Sequence, residues 1–197
     1  IAQGRLEAIF NFQSVFCDLT GMPLANASLL DESTAAAEAM TMLFSARTRE
    51  QKAAQAMQFF VDENVLPQTL SLLQTRSQLL GIELVVGDVT SAAFSPEFYG
   101  ALIQYPGKHG NIPELKTFVD TAKAHSMKTV VAADLMSLCI LEAPGHYGVD
   151  VVVGTSQRFG IPLGYGGPHA AFFATLETYK RNIPGRIIGQ TRDVDEA

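Results

Sequence analysis

The chain has 197 residues, 47% hydrophobic and 17% charged, with 14 Lys and Arg against 20 Asp and Glu for a net charge of −6. That composition suits one soluble globular domain, or most of one, and the absence of a basic block argues against a nucleic-acid partner. No apolar run approaches the ~20 residues of a membrane span, and no basic-then-apolar leader is present.

Cys17 and Cys139 lie far apart and outside any CxxC, which predicts free, buried thiols in a reducing compartment. Both ends read as cut. Ile1 already falls inside a helical pattern, and "TRDVDEA" closes without a terminal element, so the sequence reads as a piece of something longer.

From Gln3 to Thr20, Leu6, Ile9, Phe10, Phe12, Val15, Phe16 and Leu19 recur at helical spacing, and Gly21 supplies a stop. "GMPLANAS" reads as a loop. Ser28-x-x-Asp31 then resembles a capping box ahead of the alanine-rich helix "ESTAAAEAMTMLFSA". "RTREQKAAQ" reads as a polar connector or a frayed helix end.

Beyond it, strands and helices alternate. "QFFVD" is a predicted strand and Pro67 to Leu80 a helix opened by proline. "ELVVGD" and "YGALIQYP" are strands. "IPELKTFVDTAKAH" is a helix with Leu115, Phe118, Val119 and Ala122 on one stripe. "KTVVAAD", "DVVVG" and "AAFFAT" complete the set. Strands so uniformly apolar are covered on both faces, as in parallel sheets, which gives an α/β layer fold with right-handed crossovers. The domain expectation is one α/β unit over 1–197: a helical lead-in over 1–46, strand–helix alternation over 57–175, and the start of a connection over 176–197.

In such sheets, function gathers beyond the carboxyl ends of the strands. The loops so placed hold Asp88, "PGKHG" (106–110), "ADLMS" (133–137) and "GTSQRFGIPLGYGGPH" (154–169). The last is glycine-rich yet matches neither G-x-x-x-x-G-K-[ST] nor G-x-G-x-x-G at a strand-to-helix turn. Its glycines serve either a close approach of backbone to ligand or, the more economical view, positive φ in a tight connection. Ser156 lacks the second glycine of a nucleophile elbow and has no placed His or acid. His109, His125, His146 and His169 have no metal-ligand spacing, and only His169, after Gly-Gly-Pro, is a site candidate. Asp134 ends a strand, where capping a turn is its default role. Cys139 reads as core. Lys180, Arg181 and Arg186 surround a Pro-Gly turn, which is either an anion-binding segment or a solvated one.

Several stretches together resemble one family, the P-proteins of the glycine cleavage system, which are pyridoxal-phosphate glycine decarboxylases. They are "IAQGRLEAIFNFQ" (1–13), "DLTGMPLANASLLDESTAAAEAM" (18–40), "LPQTLSLLQTRS" (66–77), "VVAADLM" (130–136), "GTSQRFGIPLGYGGPHAAFFAT" (154–175) and "YKRNIPGRIIG" (179–189). Residues 87–127 carry little signature. The resemblance implies the large domain of a fold-type I pyridoxal-phosphate transferase, with a mostly parallel seven-stranded sheet flanked by helices and incomplete at both ends. It further implies two homologous halves, fused or split, of which one carries a His-Lys pair before its Gly-rich loop.

This chain is similar to the other, amino-terminal half, with Gln157 where the lysine falls. An amide is not a nucleophile, so Gln157 cannot form the covalent link. None of Lys52, Lys108, Lys116, Lys123, Lys128 and Lys180 lies at that offset, and "LLDEST" has no Ser-Gly phosphate turn. The resemblance therefore implies no catalytic residue and no metal here. Pyridoxal phosphate would belong to the parent enzyme, held by its catalytic lobe or subunit, and no cofactor would bind this chain alone. Gln157, Arg158, His169 and Arg186 are the candidates for contact with that lobe or with the approach of the lipoylated H-protein. Glycine would be the substrate of the whole, an oxidoreductase that is cytoplasmic in bacteria or in the mitochondrial matrix in eukaryotes, the bacterial setting being preferred. Two other readings stay open: a pyridoxal-phosphate enzyme of another family using a lysine such as Lys108, and a non-enzymatic small-molecule-binding module.

Overall fold

The computed structural model describes residues 2–191. Ile1 and residues 192–197, which include most of the closing "TRDVDEA" and the end of the 176–197 connection, lie outside the described residues. In chain order the elements are α1 (Ala2–Thr20), β1 (Leu24–Ala25), α2 (Glu32–Ser45), α3 (Arg49–Ala53), β2 (Gln58–Asp62) and α4 (Pro67–Leu80). They continue with β3 (Glu83–Gly87), β4 (Phe98–Tyr105), α5 (Leu115–Ala124), β5 (Lys128–Ala133), β6 (Val151–Thr155) and β7 (Ala171–Thr175).

The strands form one sheet in the order β1-β7-β6-β5-β4-β2-β3. Pairing is parallel from β6 through β3, while β7 runs antiparallel to both β6 and β1. Side chains alternate between two cores, as a strand's period of two requires. Phe59, Val61, Leu102, Val130, Val151 and Phe173 face α2 and α4. Phe60, Ile103, Val131, Val152 and Phe172 face α1 and α5. Phe16 anchors α1 by stacking on Phe172, with ring centroids 4.7 Å apart and planes within 8°. Removing either ring would cost about 3–5 kcal/mol.

Local chemistry explains the boundaries. Pro67 sits at the first position of α4, and Gly81 ends it in the left-handed region at φ 66°. Ala35, Ala36, Ala37 and Ala39 are all buried, so α2 lies close against the sheet. At Gly154 the strands approach so tightly that a Cβ would run into the Ala133 carbonyl and the Phe172 ring.

Four expectations need correction. "GMPLANAS" is not only loop: Leu24 and Ala25 pair with Thr175 and Ala174 as an edge strand. The cap of α2 is Asp31 and not a Ser28 box; its carboxylate accepts from Thr34 N. "RTREQKAAQ" holds a discrete helix, α3, whose capping box joins Thr48 and Gln51 reciprocally. Cys139 is exposed at the end of a short 3-10 turn, where its stretch runs along the surface, and Cys17 is half-buried. On α1 only Gln13, Phe16 and Thr20 are buried, so Leu6, Phe10 and Val15 face water. Among the described residues no helix is long and apolar enough to cross a membrane.

Candidate functional site

After β2 the chain steps outward to β3; after β4 it steps the other way, to β5 and β6. Such a reversal opens a crevice beyond the carboxyl ends of the strands, where α/β sheets place ligands. A cavity of about 840 Å3 lies there. Its wall is drawn from Leu66, Gln68 and Leu72 after β2, Gln104 in β4, Pro106, Gly107, Lys108 and Gly110 after it, Asp134 after β5, and Thr155, Gln157 and Arg158 around the end of β6. His169 and the first turn of α2 (Asp31, Glu32 and Ser33) complete it.

Three of the four candidate side chains meet at this wall. Gln157 is half-buried in a 3-10 turn, and its amide reaches the Gly166 carbonyl only at a long 3.5 Å. Arg158 donates to Asp134 at 2.8 Å, and the same carboxylate caps its own turn by accepting from Met136 N at 3.0 Å. His169 is exposed on the rim. Arg186 does not line the cavity; its carbonyl accepts from Ala27 N, in a segment laid back over α1. Asp88, expected at the same edge, does not line it either. Its carboxylate closes a local turn with Thr90, and that hydrogen bond holds its pKa below the usual value.

Ser156 is not poised as a nucleophile, because its hydroxyl donates to the Ala170 carbonyl at 2.8 Å. The Gly-rich loop has the structural explanation. Gly167 is at φ 53°, and a Cβ there would stand 2.5 Å from the Pro162 carbonyl oxygen. Lys108 does line the cavity, from the loop after β4 and not from the loop that carries Gln157. Its ammonium donates to the Glu63 carbonyl at 2.6 Å.

Glu32 and Gln104 were not found as site residues from sequence. Gln104 Nε2 donates to Glu32 Oε1 at 3.2 Å, beneath the cavity. Burial first, then the charges of Asp134 and Asp31, push the Glu32 carboxyl up to about 7, with the Gln104 hydrogen bond opposing them. Gln104 Oε1 is a buried side-chain oxygen without a partner among the described residues. The available signal was a glutamine in the otherwise apolar "YGALIQYP" and an acid directly after a helix cap.

The fold defines the class. A Campylobacter jejuni protein solved with a pyridoxyl-lysine monophosphate superposes with a TM-score of 0.68 over 90% of this chain and 42% of its own, at 13% identity. This is the fold-type I architecture of pyridoxal-phosphate enzymes.

The family is narrower. The family described as Glycine cleavage system P-protein matches residues 1–197. A glycine dehydrogenase (decarboxylating) from Christiangramia forsetii is 63% identical over 195 residues, 99% of this chain and 20% of the relative. A crystal structure of a glycine decarboxylase P-protein, in inhibitor-bound form, matches with a TM-score of 0.89 and 31% identity over 100% of this chain and 44% of its own. The chain belongs to the P-protein family of the glycine cleavage system. It spans about a fifth of the length of the curated relatives it matches. Because the same residues fill 44% of the crystallised chain, that relative's chain is less than half as long as theirs.

The cavity does not fit covalently held pyridoxal phosphate at the loop after β6. No primary amine stands in Thr155 to His169, and Lys108 is spent on a carbonyl in a different loop.

Proposed function

We propose that this chain is part of a non-catalytic lobe of a glycine-decarboxylating P-protein, and that it supports chemistry done by a lysine-bearing lobe elsewhere in the parent. One observation carries the reading: the cavity with an amide at position 157 is flanked by large apolar side chains left in water. Leu30 (71% exposed), Ile112 (58%), Leu163 (73%) and Phe159 (45%) all lie within three residues of the cavity wall or on the loop between Gln157 and His169. Tyr165, between two glycines, is fully exposed at φ 58°. Apolar surface of this kind around a polar centre marks a protein–protein contact.

In the parent, pyridoxal phosphate would act as the electron sink for loss of carbon dioxide from glycine, with the aminomethyl group passing to the lipoyl arm of H-protein. This chain's residues would take no covalent part. Arg158 and Asp134 would hold two loops in register, while Gln157, Arg158, His169 and Arg186 would meet the catalytic lobe or the lipoyl approach. Placement of this kind matters because an error of about 1 Å costs ~100-fold in rate.

The test is borohydride reduction of the intact enzyme with its cofactor, followed by peptide mapping. The pyridoxyl label is expected on a lysine outside residues 1–197, and Arg158→Ala or His169→Ala is expected to lower turnover with that label retained. A label on any lysine within these residues overturns the reading, and a label on Lys108 would establish a self-sufficient enzyme instead.

A further inference from the structure

We infer that the cavity is closed to a phosphorylated aldehyde cofactor at two separate places, at the amine end by Gln157 and at the phosphate end by Asp31 and Glu32. The inference rests on the reading above, in which position 157 stands where a cofactor-holding lysine falls. It differs from the loss of a lysine alone, which would leave a phosphate seat intact and the cofactor one substitution away.

A helix N-terminus opening into a cavity presents unpaired N–H groups and the positive end of the helix dipole, and so is a ready anion seat. α2 has 14 residues and its first turn lines the cavity. Here the chain fills the seat itself. Asp31 accepts from Thr34 N at 2.6 Å. Glu32 comes next, with its carboxyl held by Gln104 Nε2. The hydroxyl of Ser33, the nearest neutral donor on this turn, is paired with Thr69 Oγ1 at 3.1 Å. A phosphate arriving at this terminus would meet two carboxyl groups, one of them already holding the Thr34 N–H.

The remaining wall does not reverse the sign. Asp134 is a third acid, and it occupies Arg158 at 2.8 Å. Lys108, the other cation lining the cavity, is drawn to the Glu63 carbonyl. With Asp31 and Asp134 acidic, Glu32 partly so near neutral pH, and Arg158 and Lys108 already engaged, the wall offers a dianion little beyond the His169 ring on the rim.

The experiment uses the intact enzyme carrying Gln157→Lys, or Gln157→Lys with Asp31→Ser and Glu32→Gln; Ser keeps a helix cap and Gln keeps the shape beside Gln104. Each is treated with pyridoxal phosphate or with pyridoxal, reduced with borohydride, and mapped at the peptide containing residue 157. The expected result is little label from pyridoxal phosphate on the single variant. The ratio of phosphate-form to pyridoxal label should rise at least tenfold in the triple variant. An equal ratio in both variants, or no label in the triple variant, overturns the inference.

Label on the native lysine outside residues 1–197 reports that each variant is folded. Its absence from the unmodified enzyme would sink the functional reading instead, so the two failures are distinguishable. Should the triple variant lose the native label, Gln157→Lys with Glu32→Gln retains the Asp31 cap and must show the same rise.

Discussion

Arg158 Nη1 lies 2.8 Å from Asp134 Oδ2 and joins the loop after β6 to the loop after β5 on the wall of the cavity. The Arg158 side chain is 62% exposed, so the pair contributes at most about 1 kcal/mol to stability. Its value is positional. Arg158→Ala should leave the thermal midpoint of the intact enzyme almost unchanged while lowering kcat about tenfold. Arg158→Ala with Asp134→Asn should be no slower than the worse single variant, because both remove one link. Unchanged turnover in the single variants would show that the loops need no tie.

Glu32 sets a pH dependence. Its folded carboxyl is raised from 4.5 to about 7 by burial and by the neighbouring Asp134 and Asp31 charges. The native state therefore binds a proton more tightly than the unfolded chain between those values. The linked stability is fully present below about 4.5 and is lost as the pH rises through about 7. The loss has an upper bound of roughly 3–4 kcal/mol at 1.36 kcal/mol per unit. Glu32→Gln should flatten the thermal midpoint between pH 5 and pH 8, a comparison that needs only scans in matched buffers.

At the amino-terminal ends of β5 and β6, opposite the cavity, Asp150 is a structural hub. Its carboxylate accepts from Thr129 N at 3.0 Å and from the Tyr179 hydroxyl at 3.1 Å, and pairs with Lys128 at 3.2 Å. The phenol of Tyr179 is pushed up by burial first and by the Asp150 charge next. Asp150→Ala should cost about 2–4 kcal/mol, since it strands a backbone N–H and a buried hydroxyl together. Tyr179→Phe should cost about 1 kcal/mol. Faster amide exchange at Thr129 would separate the first from the second.

Asn26 is fully buried and clamps two distant segments. Its Oδ1 accepts from Phe173 N at 3.1 Å, and its Nδ2 donates to the Pro184 carbonyl at 3.1 Å. Gln13 makes a matching pair with Ile188, at 2.8 and 2.9 Å. Asn26→Ala should cost about 1–3 kcal/mol and expose 184–188 to limited proteolysis. Asn26→Asp keeps the acceptor but turns the donor into an oxygen facing the Pro184 carbonyl in a buried site, so it should lose no less. Cleavage no faster than in the unmodified enzyme would mean that Gln13 alone suffices.

The central strands and α5 were legible because "KTVVAAD" and "DVVVG" are short uniformly apolar runs and a period of 3.6 survives in the Leu115–Ala122 stripe, and α4 because Pro67 opens it. β1 was not, since two residues carry no period. The cap of α3 was written in Thr48-x-x-Gln51 but hidden in a polar run that read as a connector. Sequence spacing located the loops of the cavity, and with them Gln157, Arg158 and His169. It gave no sign that Arg186 turns away over α1, because that depends on amides at Gln13 and Asn26 more than 150 residues away. Glu32 and Gln104 become a pair only once α2 lies on β4.

The edge pairing of Leu24 and Ala25 with Thr175 and Ala174 has a consequence for synthesis. Within this chain β1 has no partner until β7 has been made. In the interval Phe16 of α1 lacks the Phe172 ring on which it stacks, a state in which a chaperone has something to hold.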